Sequence, residues 1–339
     1  MKDSNDILMT VDRQGRIRSI GELGSAYFMR QVGDYFPVIC RYDGQVQTLS
    51  LNDYQNDQPR EFWLAPMRHP CGDWDGFAVI ERHEQAPLHE PVTAAWPWRR
   101  EELLAAMRRG EFFLLYQPEK RQESPRGRTA EALLRWRHGE TQVLDAAAFM
   151  PAIEAYGLDI ELGWWVLDEV CQQNRRWQMR GLRPMSISVN LSPAQLAHPD
   201  LLLRTREILD FHGLPAHYLQ FELNARCMHS DGYADAKVLH HLKNIGVRLM
   251  LDDCENTRRS WHQLLVWPID AIKVRAEDWD DTLMAVARGL GKALIVKLHG
   301  DQARIDSVYQ PDAQQGNEIC KPLPAEQIAQ LLDQSGWAA

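Results

Sequence analysis

Hydrophobic and polar positions follow two different patterns along the chain, and the change falls near residue 98. Before it, short runs with apolar residues at alternate positions predominate. Residues 7–11 and 16–20 flank Asp12-Arg13-Gln14-Gly15, a turn sequence with a glycine available for positive φ, which predicts a β-hairpin. Residues 62–67 and 76–81 flank Pro70-Cys71-Gly72-Asp73 and predict a second hairpin, with a short helix at 25–32 between the two. Pro87, Pro91 and Pro97 then deny the chain a continuous helix or inner strand. These signals divide the chain into a small α+β domain at 1–90, a linker at 91–98 and a larger domain at 99–339.

Beyond the linker, short apolar strands alternate with amphipathic helices. Strands are predicted at 112–117, 130–136, 186–190, 219–223, 248–251, 271–274 and 293–297. Helices are predicted at 99–109, 147–155, 164–180, 201–212, 235–245, 282–289 and 324–334. Such alternation implies an α/β fold with a parallel sheet. Its extent, roughly 240 residues, suits a (β/α)₈ barrel of the TIM type.

In a barrel of this kind the C-terminal ends of the strands carry the chemistry. Those ends hold Glu131, Asn190, Glu222, Asp252, Asp253 and Lys273. An all-oxygen set suits Mg²⁺ or Mn²⁺, and the adjacent pair Asp252-Asp253 can contribute to two neighbouring ions. Two such ions about 4 Å apart would clamp a phosphodiester and activate a water.

Composition narrows the partners. The 339 residues carry a net charge of −9, from 38 basic and 47 acidic side chains. That balance argues against direct nucleic-acid binding over a broad surface but leaves room for a local basic pocket that takes a small anion. The six cysteines are scattered without a CxxC pair, as in a reduced chain, so neither a disulfide framework nor a zinc cluster is expected. No apolar run approaches the roughly 20 residues of a membrane span, and Met1-Lys2-Asp3-Ser4-Asn5-Asp6 lacks a signal-peptide core. The expectation is a cytoplasmic protein without a membrane anchor.

Glu131-Ala132-Leu133-Leu134-Arg135-Trp136 resembles the signature of EAL domains, the cyclic-di-GMP phosphodiesterase family. Companion motifs follow in that family's order: Tyr116-Gln117-Pro118, Gly157-Leu158, Gly163-Trp164-Trp165-Val166-Leu167, Val189-Asn190-Leu191-Ser192, Glu222-Leu223, Asp252-Asp253, Lys273, and Gln315-Gly316 before Lys321-Pro322-Leu323. The likeness covers roughly residues 99–335. It implies a modified TIM-like barrel that takes cyclic di-GMP at its strand ends, with metal ligation by Glu131, Asn190, Glu222, Asp252 and Asp253. It further implies nucleotide contacts from Gln117, Glu131, Leu133, Arg135, Asn190 and Gln315, and a catalytic Lys273 near the attacking water. The N-terminal domain resembles a PAS-like sensory module, and a small cap or dimerisation domain fits the same pattern.

Four departures from the family pattern bear on catalysis. Ala225, in Glu222-Leu223-Asn224-Ala225, stands where the family has a second glutamate. The loop after Asp252-Asp253, which runs Cys254-Glu255-Asn256-Thr257-Arg258-Arg259-Ser260-Trp261, has lost both family glycines, straining any position that needs positive φ. Lys273-Val274-Arg275 exchanges an acidic rim residue for a cation. Lys297-Leu298-His299-Gly300-Asp301 puts Leu298 where the family has a glutamate and adds the charge of Lys297. The stretch between Lys273 and Lys297 is also shorter than the family's by about one helix.

Together these imply a degenerate EAL domain: a weak or inactive regulator in signal transduction that acts through a protein partner, with or without cyclic di-GMP as ligand and with a homodimer among its candidate assemblies. A purely structural interaction protein that has lost nucleotide binding fits the same departures. At most one weak Mg²⁺ or Mn²⁺ site is expected. The alternative is an active metal-dependent phosphodiesterase giving linear pGpG. His240-His241 and His299 read as surface or capping residues. Trp136, Trp164, Trp165 and Trp177 read as core. Trp74, Trp96, Trp98, Trp261 and Trp279 read as exposed, and Trp261 with Arg258 and Arg259 forms a candidate interaction patch whose alternative is local repacking.

Overall fold

The computed structural model of the chain describes residues 7–11, 17–20, 47–52, 59–68, 74–82, 96–121, 128–139, 141–223, 233–255, 257–299 and 307–333. Its N-terminal part is an antiparallel sheet of strands β1 (Ile7–Val11), β2 (Ile17–Ile20), β3 (Gln47–Asn52), β4 (Pro59–Arg68) and β5 (Trp74–Arg82), in the order β2-β1-β5-β4-β3. Both predicted hairpins are present, β1 against β2 and β4 against β5. The edge strand β3 escaped the sequence reading because Gln-Thr-Leu-Ser-Leu-Asn offers only two strongly apolar residues. The helix predicted at 25–32 lies outside the described residues.

The larger part follows in the order α1 (Arg100–Arg108), β6 (Phe112–Pro118), β7 (Lys120–Arg121), β8 (Arg128–His138), β9 (Gln142–Asp145), α2 (Ala146–Ala155), α3 (Asp159–Met179), β10 (Met185–Asn190), α4 (Pro193–Leu196) and α5 (Leu201–His212). It continues through β11 (Leu219–Leu223), α6 (Tyr233–Ile245), β12 (Arg248–Leu251), α7 (Arg258–Val266), β13 (Ala271–Arg275), α8 (Asp281–Gly289), β14 (Ala293–Lys297), β15 (Ala313–Gln315) and α9 (Ala325–Asp333). The sheet order is β6-β8-β10-β11-β12-β13-β14-β15-β7, with β9 paired to β8. From β8 to β15 neighbouring strands run parallel.

The sheet is not parallel throughout, as the alternation had implied. β6 runs antiparallel to β8, and β7 antiparallel to β15. β6 ends at Pro118 and β8 begins at Arg128, too close in sequence for the roughly dozen residues of crossover that a parallel return needs. At β6, which ends the sheet on one side, Tyr116 and Leu323 exchange backbone hydrogen bonds of 2.8 and 2.9 Å.

Strand periodicity sorts the curled sheet into two faces. Leu219, Phe221, Leu223, Leu249, Leu251, Ile272, Val274 and Leu294 pack outward into one core with helix residues such as Leu239, Leu242, Leu283 and Val286. Met250, Ala271, Ala293, Ile295 and Ala313 form a separate inner cluster. The same inner rows, followed to the strand C-termini, become polar.

The two sheets share packing. Ala65, Met67, Ala78 and Ile80 of the N-terminal sheet belong to the core that holds Leu283, Met284 and Val286 of α8. Tyr309 donates its hydroxyl to the Arg68 carbonyl at 3.0 Å. Gly289, at the end of α8, approaches β4 so closely that a Cβ there would overlap the Pro66 carbonyl. The short β13–β14 connection is therefore one capped helix with the N-terminal sheet against it. Asp280 caps that helix, accepting from the Thr282 and Leu283 amides at 3.0 and 2.9 Å.

The segment after Asp253 corrects one expectation. Thr257 accepts from the Ser260 amide at 3.3 Å and starts α7, where the sequence pattern predicts a loop. Trp261 is fully buried, not exposed, so it forms no interaction patch. Trp261, Leu264 and Leu265 stand at i, i+3 and i+4 and present one apolar stripe to the core. Trp279, Trp96 and Trp98 are half-buried against apolar clusters. His240 and His241 are exposed on α6.

Candidate functional site

The inner rows end in a connected polar cluster. Glu131 comes from β8, Asn190 from β10, Glu222 from β11, Asp252 from the residue after β12, Lys273 from β13, Lys297 from β14 and Gln315 from β15. Register places Asn190 opposite Glu222, Lys273 opposite Ile295, and Lys297 opposite both Arg275 and Gln315. Every second residue faces inward, so these polar residues of the inner rows meet, with Asp252 following directly on its strand.

Lys273 is the hub. Its Nζ donates to Glu222 Oε1 at 2.8 Å and Glu131 Oε2 at 3.2 Å, and lies 3.9 Å from Glu119 Oε1. Glu131 also accepts from Asn190 Nδ2 at 3.0 Å and Gln315 Nε2 at 2.9 Å. Lys297 Nζ donates to Asp252 Oδ2 at 2.7 Å and to Asp253 Oδ1 at 3.0 Å. Asp253 alone among the described non-glycine residues has positive φ, +46°. The strain expected at the lost glycines is not found there, since Glu255 and Thr257 have ordinary negative φ, and an aspartate such as Asp253 tolerates the left-handed region better than most residues.

Charges within the cluster do not balance. Glu119, Glu131, Glu222 and Asp252 are buried and outnumber Lys273 and Lys297. Burial penalises the Lys273 ammonium, but Glu131, Glu222 and Asp252 outweigh that and hold its pKa well above the ordinary lysine range. Burial also opposes ionisation of Glu131, yet Lys273 and then Lys297 bring its pKa down to about 2. Glu222 takes the excess: burial and then the Glu131 charge push its pKa up to about 8. Burial raises that of Asp252 as well. Lys273 is thus the cation around which these carboxylates gather.

Glu222 Oε2, Asp252 Oδ1 and Gln315 Oε1 are buried without a hydrogen-bond partner. Each such acceptor costs about 1–3 kcal/mol, which a cation or a ligand donor would recover. A single divalent ion fits, with Glu222 and Asp252 supplying open oxygens beside Glu131 and Asn190. The oxygens of Asp252 and Asp253 that face Lys297 are engaged by its ammonium. Among the described residues no three His, Cys, Asp or Glu side chains are gathered as a metal cage.

Above the cluster opens a cavity of about 490 Å³. Its wall brings together Gln117, Glu131, Leu133, Arg135, Lys297 and Gln315, with Arg275, Asn317 and Glu318 at the margin. The predicted nucleotide contacts therefore share one pocket, apart from Asn190, which reaches it through Glu131. Arg135 Nε is paired with Asp145 Oδ1 at 2.8 Å, and its Nη1 donates to the Leu134 carbonyl at 2.9 Å. Arg275 is not a free rim cation, since Glu255 and Asp278 each lie 2.7 Å from its Nη2. Leu298 is buried in the wall, where it supplies no ligand.

Residues 100–291 match the profile of the EAL domain. The chain belongs to the EAL-domain family. Among EAL relatives, the bifunctional diguanylate cyclase/cyclic di-GMP phosphodiesterase MucR of Pseudomonas aeruginosa is 30% identical over 268 residues, covering 75% of this chain and 38% of MucR. The signaling protein YkoW of Bacillus subtilis is 27% identical over 68% of this chain and 30% of its own length. This chain thus spans well under half of either relative. A MucR phosphodiesterase structure in complex with c-di-GMP superimposes with a TM-score of 0.61 at 29% identity, covering 67% of this chain and 98% of that one. The FimX EAL domain from P. aeruginosa, bound to c-di-GMP, shares the fold at 20% identity and a TM-score of 0.57, over 65% of this chain and 94% of that one.

Sequence reasoning had missed two members of the EAL site. Glu119 is two residues beyond Gln117, and period two was the signal that it faces the same interior. Lys297 had been noticed only as an added charge, because nothing in its own segment showed that it would reach Asp252, 45 residues earlier. The Ala225 departure lies outside the described residues. No described helix is long and apolar enough to cross a membrane.

Proposed function

We propose that this EAL domain binds cyclic di-GMP in the strand-end pocket and acts as a signalling regulator through contact with a protein partner, with hydrolysis lost or slow. The observation that carries the reading is the pocket wall, where Arg135 and Lys297 stand beside the amides of Gln117 and Gln315. Guanidinium and ammonium groups suit diester oxygens, and the amides suit a nucleobase edge. Complexes of MucR and FimX with c-di-GMP support that ligand.

Weak catalysis follows from the donors. A divalent ion, when bound, supplies Lewis acidity and a more acidic water. In this chain the oxygens of Asp252 and Asp253 that would share a second ion are held by Lys297, and Leu298 offers no carboxylate. Lys273 holds Glu131 and Glu222 in place. At most one weak Mg²⁺ or Mn²⁺ site remains. Residues 1–90 serve in this reading as a PAS-like sensory or interaction domain, residues 91–98 as a linker and 99–339 as the EAL barrel, in a cytoplasmic protein that forms a homodimer.

A second reading keeps the phosphodiesterase, because Glu131, Asn190, Glu222 and Asp252 all line the site. Chromatography of cyclic di-GMP incubated with the protein and Mn²⁺ separates the two. The regulator leaves the dinucleotide intact, and the enzyme yields linear pGpG within the ordinary range of about 1–10³ turnovers per second.

A further inference from the structure

Lys297 does more than add charge to the wall. Its ammonium sits between carboxylates on consecutive residues, 2.7 Å from Asp252 Oδ2 and 3.0 Å from Asp253 Oδ1. The Asp252 and Lys297 side chains are 8% and 18% exposed, so that half of the contact is enclosed, whereas the Asp253 side chain is 52% exposed and meets the ammonium from the solvent side. Backbone bonds on both sides restrain the carboxylates. The Asp252 amide donates to the Leu223 carbonyl at 2.6 Å, and the Cys254 amide to the Lys273 carbonyl at 3.0 Å. Lys297 itself ends β14 and is paired on one side with Arg275 and on the other with Gln315.

We propose that the Lys297 ammonium is a built-in cation that occupies the position between Asp252 and Asp253 in place of a second divalent ion. The ammonium and an ion would need the same two oxygens, and like charges exclude one another at that distance. Unlike a metal ion, an ammonium carries no bound water of lowered pKa. It can hold a diester oxygen at the pocket wall without presenting a nucleophile to it. For the identity of that diester the inference rests on the function proposed above. The exclusion of metal by Lys297 does not.

The test is Mn²⁺ binding to the full chain, followed by electron paramagnetic resonance of the free ion. The unaltered protein should take up at most one Mn²⁺. Lys297→Met, which keeps the stem and removes the charge, should take up one more, with a dissociation constant at least tenfold below any further site in the unaltered protein. Lys297→Arg should behave as the unaltered protein does. Without metal, Lys297→Met should melt at a lower temperature and recover with Mn²⁺. If Lys297→Met takes up no additional ion, the assignment is wrong. Should that variant fail to fold, anomalous scattering from Mn²⁺-soaked crystals of the unaltered protein decides: no ion between Asp252 and Asp253 supports the assignment, and a peak there with Lys297 in place overturns it. Calorimetry with cyclic di-GMP on the same proteins separates the two levels. If the dinucleotide fails to bind while this Mn²⁺ pattern holds, the proposed ligand falls and the role of Lys297 stands.

Discussion

Lys273 Nζ lies 2.8 Å from Glu222 Oε1 although strand β12 runs between their strands. The two meet because each projects into the barrel from the inner row of its strand. This pair, with Glu131 as the third member, ties strands β8, β11 and β13 together at one level. Breaking a buried pair by removing one partner costs about 3–5 kcal/mol, since an uncompensated charge is left behind. Lys273→Met should therefore lower stability by that amount in urea denaturation, and Glu222→Gln by less, because Glu222 already tends to hold a proton. Equal losses in the two variants would show that Glu222 is ionised.

Arg135 should anchor the dinucleotide. Its guanidinium lines the cavity and is held in place by Asp145. Loss of a charged hydrogen bond is worth about 1.5–3 kcal/mol, so Arg135→Ala should weaken cyclic di-GMP binding by about that much in calorimetry. Unchanged affinity in a folded variant would place the ligand elsewhere.

Gly289 should be required for docking of the N-terminal sheet on α8. A side chain there meets the Pro66 backbone, which cannot rotate away as a flexible side chain would. Gly289→Val should cost about 1–3 kcal/mol, the usual range for overpacking, and make the linker region more readily cleaved in limited proteolysis. A proteolysis pattern like that of the unaltered protein would count against this packing.

How far the sequence could be read depended on whether a residue's role was set by its own segment. Strands β1, β11, β12 and β14 and helix α5 have the bounds expected from periodicity, because each carries an unbroken apolar rhythm. Asn190, Glu222 and Asp252 were legible for the same reason: a strand end and an inward register place them at the rim. Glu131 is the fourth residue of β8 and Lys273 the middle of β13, so the expectation of a C-terminal strand end was wrong for both and only their inward register held. The antiparallel start of the barrel was not, since strand direction depends on the connection and not on the strand's own pattern. Trp261 was misplaced because the expected loop is a helix, and only the helical period shows that its ring faces inward. The pairing of Lys297 with Asp252 and Asp253 needed three-dimensional closure of the sheet.

Glu111 offers a test by pH. It accepts from Arg109 Nε at 2.6 Å and from Trp136 Nε1 at 3.0 Å, and these two bonds, Arg109 first, lower its pKa. A carboxylate with a depressed folded pKa contributes stability above its ordinary value of 4.5 and loses it as pH falls through the lower folded value. Glu111→Gln should thus lower the melting temperature at pH 7, and the gap to the unaltered protein should narrow in acid. A gap that widens as pH falls would reverse the sign assigned to Glu111.

Isothermal titration calorimetry of cyclic di-GMP into the full chain with Mn²⁺ present reads binding and turnover together. Binding without efficient hydrolysis predicts a saturating heat at one dinucleotide per chain, with power returning to baseline after each injection. Sustained heat after saturation, accompanied by linear pGpG, would contradict the loss of catalysis, and no heat beyond dilution would contradict the ligand.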